Sequence, residues 1–148
     1  MPAVSAIDAA YRQFFKGLLF SLDAEYAHRL TIRMLSMMPP FPPARERPEL
    51  GIKLWGIDFS NPIGLAAGMD KDAIAIRGWE MLGFGFAELG TITPLPQAGN
   101  EMPRVWRIPE RSALINRLGF NNEGAPAALA RLAAEDASAD TDRDESLL

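Results

Sequence analysis

Three short segments of the chain carry residue types that bind and orient small molecules. In Gly64-Leu-Ala-Ala-Gly68-Met69-Asp70-Lys71, two glycines and two alanines let backbone approach a flat ligand, and Lys71 offers a cation to an anionic group. A glycine pair alone more often marks a tight turn beside a solvated lysine. Gly90-Thr91-Ile92-Thr93-Pro94 brings two hydroxyls within a short span, although threonine is also a common strand residue. Asn116-Arg117-Leu118-Gly119-Phe120-Asn121-Asn122 packs three amides and a guanidinium around a glycine. Those groups suit a planar carboxylate or carboxamide, and asparagines suit turns and helix caps equally well.

Other chemistries are excluded. His28 is the sole histidine and there is no cysteine, which rules out a multi-histidine metal site, thiolate ligands, a cysteine nucleophile and a disulfide scaffold. Asp70 with Asp72 is too small a set for a metal cluster. Neither the P-loop pattern G-x-x-x-x-G-K-[ST] nor the dinucleotide pattern G-x-G-x-x-G occurs. The chain has 148 residues, 48% hydrophobic and 23% charged, the size and composition of a core-forming domain. Its net charge of −4 lacks the basic excess of a nucleic-acid binder. The acidity is local: residues 1–132 carry +1, whereas residues 133–148 carry −5, Arg143 standing against six acids.

The elements that must position these segments follow from periodicity. Ile7, Ala10, Tyr11, Phe14, Phe15, Leu18, Leu19 and Leu22 mark one face of a helix. Asp23 is placed to cap a second helix, carrying Ala27, Leu30, Met34, Leu35 and Met38, before the proline-rich linker Pro39 to Pro48. Periodicity favours packing of this helical hairpin on the rest of the protein. Its large apolar groups, flanked by Arg12, Lys16, Arg29 and Arg33, also suit a membrane interface. No run approaches the ~20 apolar residues of a bilayer span, and charges interrupt any signal-peptide core.

Residues 52–59 predict a short hairpin about Gly56, and Ile63 to Ala67 a buried strand. Asp72 to Leu82 reads as a helix with Gly83 as its C-cap, and Phe84 to Thr93 as a second buried strand. Strand, helix, strand implies a parallel βαβ unit and an α/β class, in which ligands sit at the carboxyl ends of the strands. A further hairpin is expected from Val105–Ile108 and Ala113–Asn116. A last helix, capped by Asn121 or Asn122, is expected to run through Leu132, and the small, acidic residues 133–148 read as a disordered tail.

In combination these segments strongly resemble the quinone-dependent, membrane-associated (class 2) dihydroorotate dehydrogenases, from about Tyr11 to about Leu132. The resemblance is carried by Asn61-Pro-Ile-Gly-Leu-Ala-Ala-Gly-Met-Asp-Lys71, Gly83-Phe-Gly-Phe-Ala-Glu-Leu-Gly-Thr-Ile-Thr-Pro94, Pro96-Gln-Ala-Gly-Asn100, Pro103-Arg-Val-Trp-Arg107 and Asn116-Arg-Leu-Gly-Phe-Asn121. The helical hairpin with Asp23-Ala-Glu-Tyr-Ala-His28-Arg-Leu30 is the mark of this class.

The resemblance implies FMN-dependent oxidation of dihydroorotate to orotate in pyrimidine (UMP) biosynthesis, with electrons passed to ubiquinone or menaquinone. It implies an α/β fold in which the N-terminal helical hairpin (1–44) precedes the first part of an FMN-binding (β/α)₈ TIM barrel (45–132), followed by the acidic tail (133–148). By motif, Ala67, Gly68, Met69, Asp70, Lys71 and Thr91 would contact FMN. Lys71, Asn116, Arg117, Leu118, Gly119 and Phe120 would hold the substrate, and Phe15, Leu18, Leu19, His28 and Arg107 would lie near the quinone. No metal is implied. The implied location is peripheral, on the cytoplasmic face of a bacterial inner membrane.

A (β/α)₈ barrel takes roughly 250 residues, so the chain is expected to hold two of its strands. The family's catalytic serine belongs to a later loop, and none of the serines here stands in its context. Two parallel strands also leave open edges that a closed barrel would pair, so the 148 residues alone are expected to be inactive and poorly folded. The competing readings are a non-enzymatic membrane-surface or partner-binding module, and a functionless frameshifted fragment, for which the abrupt change at Ala133 is the motive.

Overall fold

The computed structural model describes residues 15–39 and 48–145. Of these, residues up to Thr31 together with Glu101–Arg117 form one compact unit, and those within Ile32–Asn100 and Leu118–Leu148 form another.

In the first unit, helix α1 (Lys16–Ser21) ends where Leu22 turns extended. The part of the expected first helix on residues 7–14 lies outside the described residues. Helix α2 (Ala24–Ser36), which belongs to this unit through Thr31 and to the other from Ile32, starts as its sequence predicts: Asp23 Oδ1 accepts the Tyr26 N–H at 2.9 Å, satisfying a donor that the helix's first turn leaves unpaired. It stops at Ser36, a little short of Pro39. The expected hairpin is present as β5 (Val105–Ile108) and β6 (Ala113–Asn116), antiparallel, with Val105 opposite Asn116. Its turn is a short 3₁₀ segment, Pro109–Arg111, closed by Ser112 at φ 48°.

In the second unit, β1 (Ile52–Leu54) pairs antiparallel with β2 (Ile57–Phe59). Trp55 and Gly56 both take positive φ (52° and 81°), the two-residue turn whose twist suits a hairpin. The parallel βαβ unit is also present: β3 (Gly64–Leu65), α3 (Ile76–Met81) and β4 (Phe86–Ala87), with Gly64 opposite Phe86 and Leu65 opposite Ala87. Gly64 and Gly85 are needed at this joint. A Cβ on Gly64 would lie 2.2 Å from the Phe86 ring, and one on Gly85 would lie 2.1 Å from the Asn61 carbonyl oxygen. Gly83, at φ 88°, ends α3 as expected. Its N–H donates to Glu80 O at 2.8 Å and the Phe84 N–H to Trp79 O at 3.4 Å, the two bonds of a Schellman motif. Ile32, Ala75 and Trp79 form the unit's core, with Leu35, Leu65, Met69, Ile74 and Phe84 packed against it.

Four expectations are corrected. The helix predicted over 72–82 begins only at Ile76, because Ala73 takes φ 56° and the Asp70 carboxylate engages the N–H groups of Ile74 and Ala75. The two predicted strands shrink to the two-residue β3 and β4. The last helix, α4 (Ala125–Glu145), is not capped by Asn121 or Asn122. Gly124, at φ 85°, precedes it, its N–H donating to Asn122 Oδ1, and the Ala125 N–H donates to Thr93 O. Nor does the helix stop at Leu132: the acidic segment through Glu145 continues it. Low apolar content predicted disorder there, but alanine and glutamate are strong helix formers, and Glu135 meets Arg77 at 2.7 Å. No closed barrel forms among the described residues; their sheets are three two-stranded pairs.

Candidate functional site

The segment after β3 is held along the chain that follows β4. The Glu88 N–H donates to Leu65 O (2.9 Å), Gly68 N–H to Gly90 O (2.7 Å) and Gly90 N–H to Asp70 O (3.3 Å). Upstream, Asn61 bridges the same elements, accepting from the Ile63 N–H at 2.9 Å and donating to Gly83 O at 3.1 Å. Gly68 takes φ 94°, and nothing lies within 4 Å of where its Cβ would stand. With Ala66 and Ala67 exposed beside it, this stretch offers bare backbone that a flat ligand can approach.

Asp70 faces the other way. It is fully buried, its Oδ1 accepting from the Ile74 N–H (3.0 Å) and its Oδ2 from the Ala75 N–H (2.8 Å) and the Trp79 indole N–H (3.0 Å). A buried carboxylate is stable only when so satisfied. Asp70 therefore fastens the loop to α3, and Met69 packs on the core beside it.

Lys71, next in sequence, reaches across to the segment before α4. Its amine donates to Asn121 Oδ1 at 2.7 Å and approaches Gly119 O at 3.4 Å. Residues 67–71 and 119–121, singled out separately in the sequence, are thus brought together. Asn122 builds that corner: its Oδ1 accepts from the Thr93 and Gly124 N–H groups (3.1 and 2.9 Å), and its Nδ2 donates to Phe120 O (2.6 Å) and Thr93 Oγ1 (3.0 Å). Gln97 and Asn122 exchange backbone bonds, and Leu118 O accepts the Asn100 N–H, so the Pro96–Asn100 stretch backs the corner. Thr91 and Phe120 are exposed, and Leu118 is half-buried. Thr93 serves the corner rather than an open face.

The remaining candidates lie in the first unit. Asn116 closes β6, exposed, and the Arg117 guanidinium lies over the Trp106 ring at 5.6 Å. Arg107 donates to Leu22 O at 2.7 Å and Leu19 O at 3.2 Å and covers the Phe20 ring at 4.9 Å. A cation thus meets the carbonyl end of α1, where the helix dipole favours it. Leu19 and Arg107 are together; Phe15 and Leu18 are exposed (51% and 62%), and His28 is half-buried on α2.

Sequence reasoning missed the pair Glu25 and Arg104. Both are 6% exposed, and Arg104 Nη2 meets Glu25 Oε1 at 2.7 Å while Nε meets Oε2 at 2.9 Å. The hydrogen bond from Arg104 holds Glu25 below the usual carboxylate range against the opposing effect of burial, and Glu25 in turn raises Arg104. It also missed Asn121 as the lysine's partner, although the residue stood in a quoted motif.

Comparison with known proteins points one way. The family model described as "Dihydroorotate dehydrogenase" matches residues 49–142. A protein of Rhodopseudomonas palustris (strain TIE-1) named "Dihydroorotate dehydrogenase (quinone)" is 54% identical over 117 residues, covering 79% of this chain and 32% of that protein. One of the same name from Stutzerimonas stutzeri is 50% identical over 127 residues, covering 80% and 36%. The crystal structure of ligand-free DHODH from Eimeria tenella superposes with a TM-score of 0.68 at 43% identity, over 74% of this chain and 31% of that one. Its complex with ferulenol gives 0.66. The chain spans about a third of the length of the curated relatives it matches.

Proposed function

The chain belongs to the dihydroorotate dehydrogenase family, and from that premise we propose that it carries the cofactor loop and quinone-side elements of an FMN-dependent dihydroorotate:quinone oxidoreductase of pyrimidine biosynthesis. The observation that carries the reading is the reach of Lys71 from the loop after β3 to Gly119 and Asn121, which joins the two segments expected to share a ligand.

The residues present fit a flavin: bare backbone at Ala67 and Gly68, open space over Gly68, and a lysine, Lys71, three residues on. When bound, FMN supplies the hydride acceptor for oxidation of dihydroorotate to orotate. Ala67, Gly68 and Lys71, with Thr91 and the main chain of Met69 and Asp70, would line it. The Asp70 side chain keeps the loop in shape. Lys71 would hold the substrate's carboxylate by charge, and Asn116, Arg117, Leu118, Gly119 and Phe120 are the further substrate contacts that the resemblance implies. The family's serine base belongs to a later loop, and none of the serines in these 148 residues stands in its context.

Residues 1–44 are read as the membrane and quinone-side extension, with residues 45–132 as the start of the barrel. Exposed Phe15 and Leu18 with Lys16 suit the cytoplasmic face of a bacterial inner membrane, and Arg107, Leu19 and His28 a ubiquinone or menaquinone near α1. No helix among the described residues is long and apolar enough to cross a membrane.

The test is titration of the chain with FMN and then orotate, read by flavin fluorescence, beside Lys71→Met and a dihydroorotate-dependent quinone reduction assay. Binding that Lys71→Met weakens at least tenfold, without turnover, supports the reading; a wild-type chain indistinguishable from Lys71→Met refutes it.

A further inference from the structure

We propose that Trp79 is a positioning residue for the flavin: its indole N–H, acting through the Asp70 carboxylate, fixes the two stretches of backbone that would face FMN. The inference deepens the flavin reading and rests on it. Asp70 is the joint. Its carboxylate is fully buried and accepts from three donors, the Ile74 N–H (3.0 Å), the Ala75 N–H (2.8 Å) and the Trp79 Nε1–H (3.0 Å). Its main-chain oxygen accepts the Gly90 N–H at 3.3 Å, and Gly90 O accepts the Gly68 N–H at 2.7 Å. Gly68, beside exposed Ala67, and Gly90, beside exposed Thr91, are thereby tied to one residue.

Of these three donors only the indole is a side chain. Ile74 and Ala75 follow Asp70 by four and five residues, at a turn in which Ala73 takes φ 56°, so their N–H groups shape the turn itself. Trp79 stands inside α3 and is buried in the core with Ile32 and Ala75, its ring edge-on to Phe84 at 6.3 Å. Close packing holds such a ring in one orientation. A carboxylate without water must keep its donors, so a loop that drifts from the helix breaks a hydrogen bond in a dry interior. The indole therefore sets where Gly68 and Gly90 present their backbone, and a rigid planar ligand gains from a loop ordered in advance. Coupling of this kind is reciprocal: if Trp79 holds the loop for FMN, bound FMN holds Trp79.

The chain has three tryptophans, Trp55, Trp79 and Trp106, and hence three indole N–H signals in a proton–nitrogen correlation spectrum, assignable by single Trp→Phe exchanges. On titration of the 148-residue chain with FMN, the Trp79 signal is expected to shift and its exchange with water to slow. The signal of Trp55, exposed at the β1–β2 turn, should stay in place. By flavin fluorescence, Trp79→Phe should bind FMN about tenfold more weakly, as for a lost hydrogen bond to a charged group, and Trp55→Phe should bind as wild type. Both are read where circular dichroism shows each chain folded. A tryptophan that serves stability alone would lower the melting temperature and leave the FMN affinity of the folded protein unmoved.

Unchanged FMN affinity in folded Trp79→Phe overturns the proposal. If that variant does not fold, the wild-type spectrum decides, and an indole exchange rate at Trp79 that FMN does not slow overturns it. If wild type binds no FMN, the flavin reading falls, and hydrogen exchange of wild type in dilute urea decides the rest. A Gly68 amide that opens together with the Trp79 indole upholds the hold of Trp79 on the loop, whereas a Gly68 amide that exchanges freely while the indole stays protected overturns it.

Discussion

Glu25 and Arg104, 79 positions apart, meet as a bidentate ion pair with little exposed surface, with contacts of 2.7 and 2.9 Å. Glu25 stands in the first turn of α2 and Arg104 just before β5, so the pair fastens the helical segment to the hairpin within its unit. Removing one partner leaves the other charged and buried, at a cost of about 3–5 kcal/mol. Arg104→Leu is expected to lose that much in urea titration, whereas Glu25→Leu with Arg104→Met together should lie close to wild type. The exposed pair Lys53 and Asp58 is the contrast: Lys53→Ala should cost under about 1 kcal/mol.

The same pair predicts an acid limit. Glu25 ionises in the folded chain below its ordinary value of 4.5, chiefly through the Arg104 hydrogen bond. Its contribution is therefore complete above that value and is lost as pH falls below it through the folded pKa. Wild type should lose stability on acidification in that window, and Glu25→Gln should show a shallower pH dependence there by urea midpoint.

Trp79→Phe removes one of the three donors to the Asp70 carboxylate and keeps most of the ring's packing. A loss of about 1–3 kcal/mol is expected, with faster amide exchange at Ile74 and Ala75, whose N–H groups bind the same carboxylate.

Two glycine substitutions should differ in sign. Gly85→Ala would set a Cβ against the Asn61 carbonyl oxygen and should destabilise by about 2 kcal/mol or more. Gly17→Ala, in α1 with nothing within 4 Å, should stabilise by about 0.5–1 kcal/mol. Thermal melts of the two variants check both.

Arg107→Gln takes the cation from the carbonyl end of α1. Hydrogen exchange across residues 16–22 should rise by about tenfold, a local cost near 1–2 kcal/mol, with α3 unchanged.

What was legible in the sequence was what is written locally. Asp23 as a cap, Gly83 as a helix end, Gly56 in a two-residue turn and the βαβ order all depend on a few adjacent residues, and all are found. Asp70 was illegible, because an acid in a glycine-rich loop looks solvated or ligand-facing until its donor Trp79 is brought under it. Glu25 with Arg104 and Lys71 with Asn121 have no local mark at all: each is made by chain segments that meet only in the fold. The helix runs on through 133–145 despite the segment's low apolar content, and the Glu135 contact to Arg77 that ties its start has no local mark in the sequence.

The three tryptophans divide the molecule optically. Trp55 is 90% exposed at the tip of the β1–β2 turn, Trp79 is 4% exposed against the Asp70 carboxylate, and Trp106 sits beneath the Arg117 guanidinium. Emission from Trp55 is open to any aqueous quencher, whereas Trp79 is shielded and bonded to Asp70, next in sequence to Lys71. The chain thus contains its own spectroscopic probes: one for solvent, one for the state of the lysine loop and one for the unit that holds Arg107, each separable by a single Trp→Phe exchange.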